Sequence, residues 1–102
     1  MNEQEKENQL QIELDAETAQ GKYANLALIT HSSSEFVLDF ACVMPGVSKA
    51  HVQSRVVMAP EHAKRLFRAL HENLKKYEES YGSISLMEEH SGLPIANFKG
   101  EA

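Results

Sequence analysis

Residues 50–82 read AHVQSRVVMAPEHAKRLFRALHENLKKYEESYG, and the apolar period changes at Pro60. Before Pro60, residues 50–58 read as a strand, with Val52, Val56 and Met58 on one face. After it, Ala63, Leu66, Phe67, Leu70, Leu74, Tyr77 and Tyr81 recur at helical spacing and form one stripe. Proline suits the first helical position, where its missing N–H has no partner to lose. It also biases Ala59 toward an extended shape and so ends the strand. Ala59 is a poor N-cap, while Glu61 in the first turn suits the helix dipole. The face opposite the stripe carries Glu61 and Arg65, Arg68 and Glu72, Glu72 and Lys76, and Lys75 and Glu79, each four residues apart. Gly82 is placed to end the helix in a positive-φ turn. A helix over residues 60–81 is about 33 Å long at about 1.5 Å per residue. Short strands offer about 20 Å of cover. The stripe is therefore expected to overhang its own sheet. Its end calls for a second copy of the chain, or for the chain's own tail with Ile84, Leu86, Met87, Leu93, Ile95 and Phe98.

Upstream, three further stretches read as strands. Leu10, Ile12 and Leu14 alternate with polar residues, which predicts a strand with one wet face. Residues 15–21 form a connection with room for a helical turn. Residues 23–30, YANLALIT, are apolar on both faces near Leu26, Ala27, Leu28 and Ile29, as in a strand covered on both sides. Residues 32–34 are a serine run suited to a hairpin turn. In residues 35–43, EFVLDFACV, Phe36, Leu38, Phe40 and Cys42 form one face, and Val37, Asp39, Ala41 and Val43 the other. Pro45 and Gly46 signal the next turn. A hairpin centred on residues 32 and 33 puts Leu26 opposite Asp39. One centred on Val47 puts Asp39 opposite Arg55, an opposed pair that helps fix register. Residues 83–87 are a further short strand candidate, and residues 93–98 an extended edge segment or tail.

The chain of 102 residues is one small domain, with 42% apolar residues and a formal net charge of -5. That charge is unevenly placed. Residues 1–20 hold Lys6 against six carboxylates, and the remainder is neutral. Between Lys49 and Lys76 there are seven basic residues and two acidic ones. The acidic leader either is a solvated segment or covers that basic stretch. No apolar run is long enough to cross a membrane, and the polar start is unlike a signal peptide. One cysteine, Cys42, excludes an internal disulfide framework. Together these features predict a soluble cytoplasmic protein.

Catalytic signatures are missing from the sequence. The histidines are His31, His51, His62, His71 and His90, with no HExxH spacing and no metal-ligand cluster. Cys42 lies in an apolar stripe, as a buried small residue does. Ser32, Ser33 and Ser34 lack the GxSxG setting of a nucleophile elbow. The glycines form no phosphate cradle. The reading is therefore a non-enzyme with no catalytic, cofactor-binding or metal-binding residues. Nucleic acid is the second class considered. Arg55, Lys64, Arg65, Arg68, Lys75 and Lys76 are the candidate interaction surface on strand and helix. Interleaved carboxylates and few stacking aromatics argue against it.

One long stretch is similar to a known family. YANLALITHSSSEFVLDF, then Pro45-Gly46, then SRVVMAPEHAKRLFRALHENLKKYEESYGSI, resembles a bacterial family of unknown function, domain of unknown function 3467. The resemblance spans residues 23–84. Its most specific parts are LDF at 38–40, Ser54-Arg55-Val56, Pro60 with His62-Ala63-Lys64, and Lys75-Lys76-Tyr77-Glu78 leading to Gly82. It implies no activity, cofactor or catalytic residue. In plan alone, an antiparallel meander feeding a Pro-started helix also looks like the export chaperone SecB and its relatives, a likeness without a motif.

The expected architecture is α+β. A disordered acidic leader covers residues 1–9. A single domain over residues 10–84 holds a three- or four-stranded antiparallel meander with one long helix packed on one face. A partly ordered tail follows over residues 85–102. The expected function is a cytoplasmic homo-oligomeric protein-binding module, chaperone-like or an adaptor, with no membrane partner. Val37, Val57, Tyr77 and Tyr81 are the candidate oligomer contacts, because the strands carry more apolar surface than one helix covers.

Overall fold

A computed structural model describes residues 9–86. The expected leader, apart from Gln9, lies outside the described residues, as do Met87 and the tail from residue 87 to 102. The protein is α+β. A short helix α1 (Ala16–Ala19) precedes strands β1 (Leu26–His31), β2 (Phe36–Cys42) and β3 (His51–Met58), and the long helix α2 (Pro60–Tyr81) follows. The three strands form an open antiparallel meander with β2 in the centre.

The second hairpin puts Asp39 opposite Arg55, as expected, and keeps that register from Phe36 to Phe40. Its turn is built on Pro45 and Gly46. Gly46 has a φ of 81°, a region that favours glycine, and the Val47 N–H donates to the Met44 carbonyl at 3.2 Å. The first hairpin differs from expectation. Leu26 faces Ala41, and it is Leu28 that faces Asp39. The loop takes in Glu35, whose carbonyl accepts the Ser32 N–H at 2.9 Å, so the hairpin centre moves one residue along the chain. The pairing thereby shifts by two residues, which keeps every side chain on its expected face.

A β-bulge corrects the reading of β3. Phe40 pairs with Ser54 but Ala41 pairs with Val52, so Gln53 is the extra residue. Val56 and Met58 share the face of Leu38 and Phe36, whereas Val52 shares that of Ala41. The bulge thus separates Val52 from the two residues expected beside it.

The strand expected over residues 10–14 does not form. Those residues are exposed and carry no strand pairing. Alternation gives a segment a face but not a neighbour, and a strand exists only when an edge accepts its backbone. Asp15 instead caps α1, accepting the Thr18 N–H at 2.7 Å. Hydrogen bonding from Thr18, through its side chain first and then its backbone N–H, holds the Asp15 carboxyl below its usual pKa. Residues 82–86 likewise form no strand.

The largest difference concerns α2, which was expected to pack on the sheet. None of its residues is buried, and Ala63 alone is half-buried. The physical reason is the connection. Ala59 is the single residue between β3 and α2, with φ -67° and ψ 154°. Strand-to-helix connections in layered folds take about 2–6 residues. One extended residue leaves no slack for the helix to fold back over its own sheet. Among the described residues, the buried apolar side chains are Leu38 and Ala41.

Asp39, at 3% exposure, is the buried charge. Arg55 grips it from the next strand, Nε to Oδ1 at 2.7 Å and Nη2 to Oδ2 at 2.9 Å. Those bonds hold the Asp39 carboxyl below its ordinary value, against the smaller opposing effect of burial. A carboxylate whose folded pKa is depressed stabilises the fold above the ordinary carboxylate range. That contribution is lost as pH falls through the depressed value. Arg55→Met is expected to lower the thermal midpoint at pH 7 by several degrees, because it leaves a buried carboxylate without its donors. Asp39→Asn is expected to flatten the acid limb of stability against pH. Circular dichroism melts between pH 2 and pH 7 check both.

Gly82 ends α2 with φ 93° and ψ 171°, and its N–H donates to the Glu78 carbonyl at 2.9 Å. A Cβ there meets nothing within 4 Å, so only backbone strain opposes a side chain. Gly82→Ala is expected to cost about 1–3 kcal/mol in a chemical denaturation series.

Candidate functional site: an uncovered helix face

Helical periodicity gathers Ala63, Leu66, Phe67, Leu70, Leu74, Tyr77 and Tyr81 on one side of α2. In an isolated chain such a stripe should be covered. Here Leu66, Phe67, Leu70, Leu74, Tyr77 and Tyr81 keep between 41% and 77% of their surface open. Within the stripe the aromatics order one another. The Phe67 ring stacks on His71 at 6.1 Å between centroids, and Tyr77 lies against Tyr81 at 4.9 Å. Six of these residues, 63, 67, 70, 74, 77 and 81, alternate by four and three. That is the spacing of a coiled-coil seam, narrower than the stripe of a helix lying on a sheet.

Gly82 turns the chain back beside the helix. The Ile84 N–H donates to Glu78 Oε2 at 2.9 Å. Ile84 and Leu86 then form a shallow groove of about 360 Å³ with His71, Leu74, Lys75 and Glu78. This described part of the tail borders the stripe and leaves it open.

The candidate residues from the sequence fall in three places. Tyr77 and Tyr81 lie on the stripe. Val37 and Val57 face each other across β2 and β3, on the side of the sheet that holds Asp39. Val37 is half-buried and Val57 is exposed. The basic residues have different local partners. The Arg55 guanidinium is engaged by Asp39. Arg65 is paired with Glu61 and also contacts His62 Nδ1 at 3.3 Å. Lys64, Arg68, Lys75 and Lys76 stand on α2 away from the centre of the stripe, among Glu61, Glu72 and Glu79.

A second concavity, of about 660 Å³, lies between the α1 segment and the sheet. Glu17, Thr18 and Lys22 line one side, and Phe40, Gln53 and Ser54 the other. It contains no histidine or cysteine. No group of three metal-ligating side chains occurs among the described residues. No helix among them is long and apolar enough to cross a membrane. Cys42 is half-buried and unpaired in any disulfide.

Asn25 was not singled out by the sequence reading. Its N–H donates to the Ala41 carbonyl at 3.0 Å. Its side-chain amide donates to the Val43 carbonyl at 2.9 Å and accepts the Val43 N–H at 2.7 Å. The side chain thus continues the β1–β2 ladder beyond Leu26. An asparagine just before an apolar run is the only signal the sequence offers for it.

Replacing Leu70 by Gln tests the state of the stripe. A residue 55% exposed supports no core of its own protomer. Leu70→Gln is therefore expected to leave the sheet intact by hydrogen exchange while weakening any association through α2. Collapse of β2 protection in this variant would show that α2 packs on the sheet after all.

No curated protein matches this chain, and no solved structure matches it. The family described as protein of unknown function, DUF3467, matches over residues 1–86. That match reaches beyond residues 23–84 on both sides and takes in the acidic leader. The chain belongs to this family of unknown function.

Proposed function

We propose that the protein is a non-enzymatic, self-associating module that binds protein, working as a homodimer or larger assembly in the cytoplasm. One observation carries this reading. The described residues bury two apolar side chains, Leu38 and Ala41, while a 22-residue amphipathic helix leaves its apolar stripe open. A small domain with so little internal burial lacks the apolar area that normally offsets chain entropy. Apolar surface that a protomer cannot cover by itself is completed by another protein surface. The geometry of Ala59 supports the reading, since the short connection before the exposed stripe is part of the backbone. A free cysteine at Cys42 is in keeping with a reducing compartment.

The test is sedimentation equilibrium of the full chain between about 1 and 100 μM, a span set against the affinities expected of specific interfaces. Dimers or larger species are expected, with a melting temperature that rises with concentration. A single monomeric species throughout, with a concentration-independent melt, overturns the reading.

A further inference from the structure

Resting on the reading of the chain as self-associating, we propose that the occupant of the α2 stripe is the same helix of a second copy, running antiparallel. The alternation at positions 63, 67, 70, 74, 77 and 81 makes these the seam. Laid antiparallel about a two-fold axis near the middle of the helix, Ala63 meets Tyr81, Phe67 meets Tyr77, and Leu70 meets Leu74. Each layer then occurs twice. The smallest seam residue faces the largest, so the layers fill evenly. A parallel, in-register pair sets alanine against alanine at one end and tyrosine against tyrosine at the other. That leaves a gap and a crowded layer.

Charge makes the same choice. Lys64 and Glu78 each follow a seam residue, Ala63 and Tyr77, and flank the seam on one side. In the antiparallel arrangement Lys64 of one copy faces Glu78 of the second copy, and the two-fold axis repeats the pair. In a parallel pair the flanking residues that meet are Leu66 with His71 and Asn73 with Glu78, with no opposite charges. Glu78 already accepts the Ile84 N–H on Oε2, a bond that uses one of its two carboxylate oxygens. Area is consistent with a stable contact. At roughly 200 Å² for a fully exposed large side chain, the open stripe offers about 650 Å² per copy, so a pair buries about 1,300 Å², within the range of specific interfaces.

Cysteine pairing reads the geometry directly, in a Cys42→Ser background. Ala63→Cys with Tyr81→Cys in one chain is expected to give a disulfide-linked dimer on mild oxidation. Neither single variant should do so, because each position lies at opposite ends of the two helices. An internal bond is excluded, since residues 63 and 81 are about 27 Å apart on one helix. A second measurement guards against damage to the seam. Lys64→Glu is expected to raise the dimer dissociation constant about tenfold by creating two like-charged contacts. Glu78→Lys should weaken association in the same way. Lys64→Glu with Glu78→Lys together should restore most of it.

The two readings fail separately. A monomer in the sedimentation experiment removes both, including the case in which the chain's own tail covers the stripe. A dimer that links through Tyr81→Cys alone is parallel, and it overturns the antiparallel pairing while self-association stands. So does a dimer that links in none of these variants and ignores charge reversal.

Discussion

Ala59 connects β3 to α2 with one extended residue, and most of the architecture follows from that shortness. A chain leaving a strand needs length to reverse its direction. Without it, the helix keeps its apolar side largely exposed. Pro60 reinforces the constraint, because it fixes its own φ and disfavours a helical Ala59. The sheet is left with open faces as well. Its centre is therefore held less by a packed core than by the backbone ladder and by the Asp39–Arg55 clamp.

That clamp explains a charge among the three buried residues of the described fold. Asp39 is in the central strand, and both of its oxygens receive a nitrogen of Arg55. A shift of β3 along β2 would break two charge-assisted bonds and leave a carboxylate without donors. The pair thus specifies alignment at a place where apolar contacts are too few to do so. The same engagement commits the Arg55 guanidinium to Asp39, although 63% of the Arg55 side chain stays exposed.

Much of this was legible in the sequence. The break of period at Pro60, the stop at Gly82 and the Pro45–Gly46 turn mark three boundaries with residues whose backbone preferences are strong. The facing of Asp39 and Arg55 followed from that turn. The first hairpin departs from expectation because a polar run of serines accommodates several loop lengths, and nothing in it selects the bond from Ser32 to Glu35. The bulge at Gln53 was hidden, since an extra residue in a strand leaves no compositional trace. Leu10, Ile12 and Leu14 alternate as a strand does, yet pairing depends on an available edge. The stripe itself was plain. The overhang of its Tyr77–Tyr81 end follows from helix length, but the exposure of Leu66, Phe67 and Leu70 does not.

The bulge at Gln53 also bears on how the sheet avoids its own kind. β3 is the longer of the two outer strands and presents unpaired backbone along one side. A flat edge of eight residues is a template on which further strands can add, and repeated addition ends in fibrils. The extra residue interrupts that template after His51 and Val52 and leaves an uninterrupted run of only five residues, 54–58, with charged Arg55 inside it. An incoming strand would have to match the same irregularity to continue past it. The irregularity therefore works against the addition of further strands at this edge of the sheet.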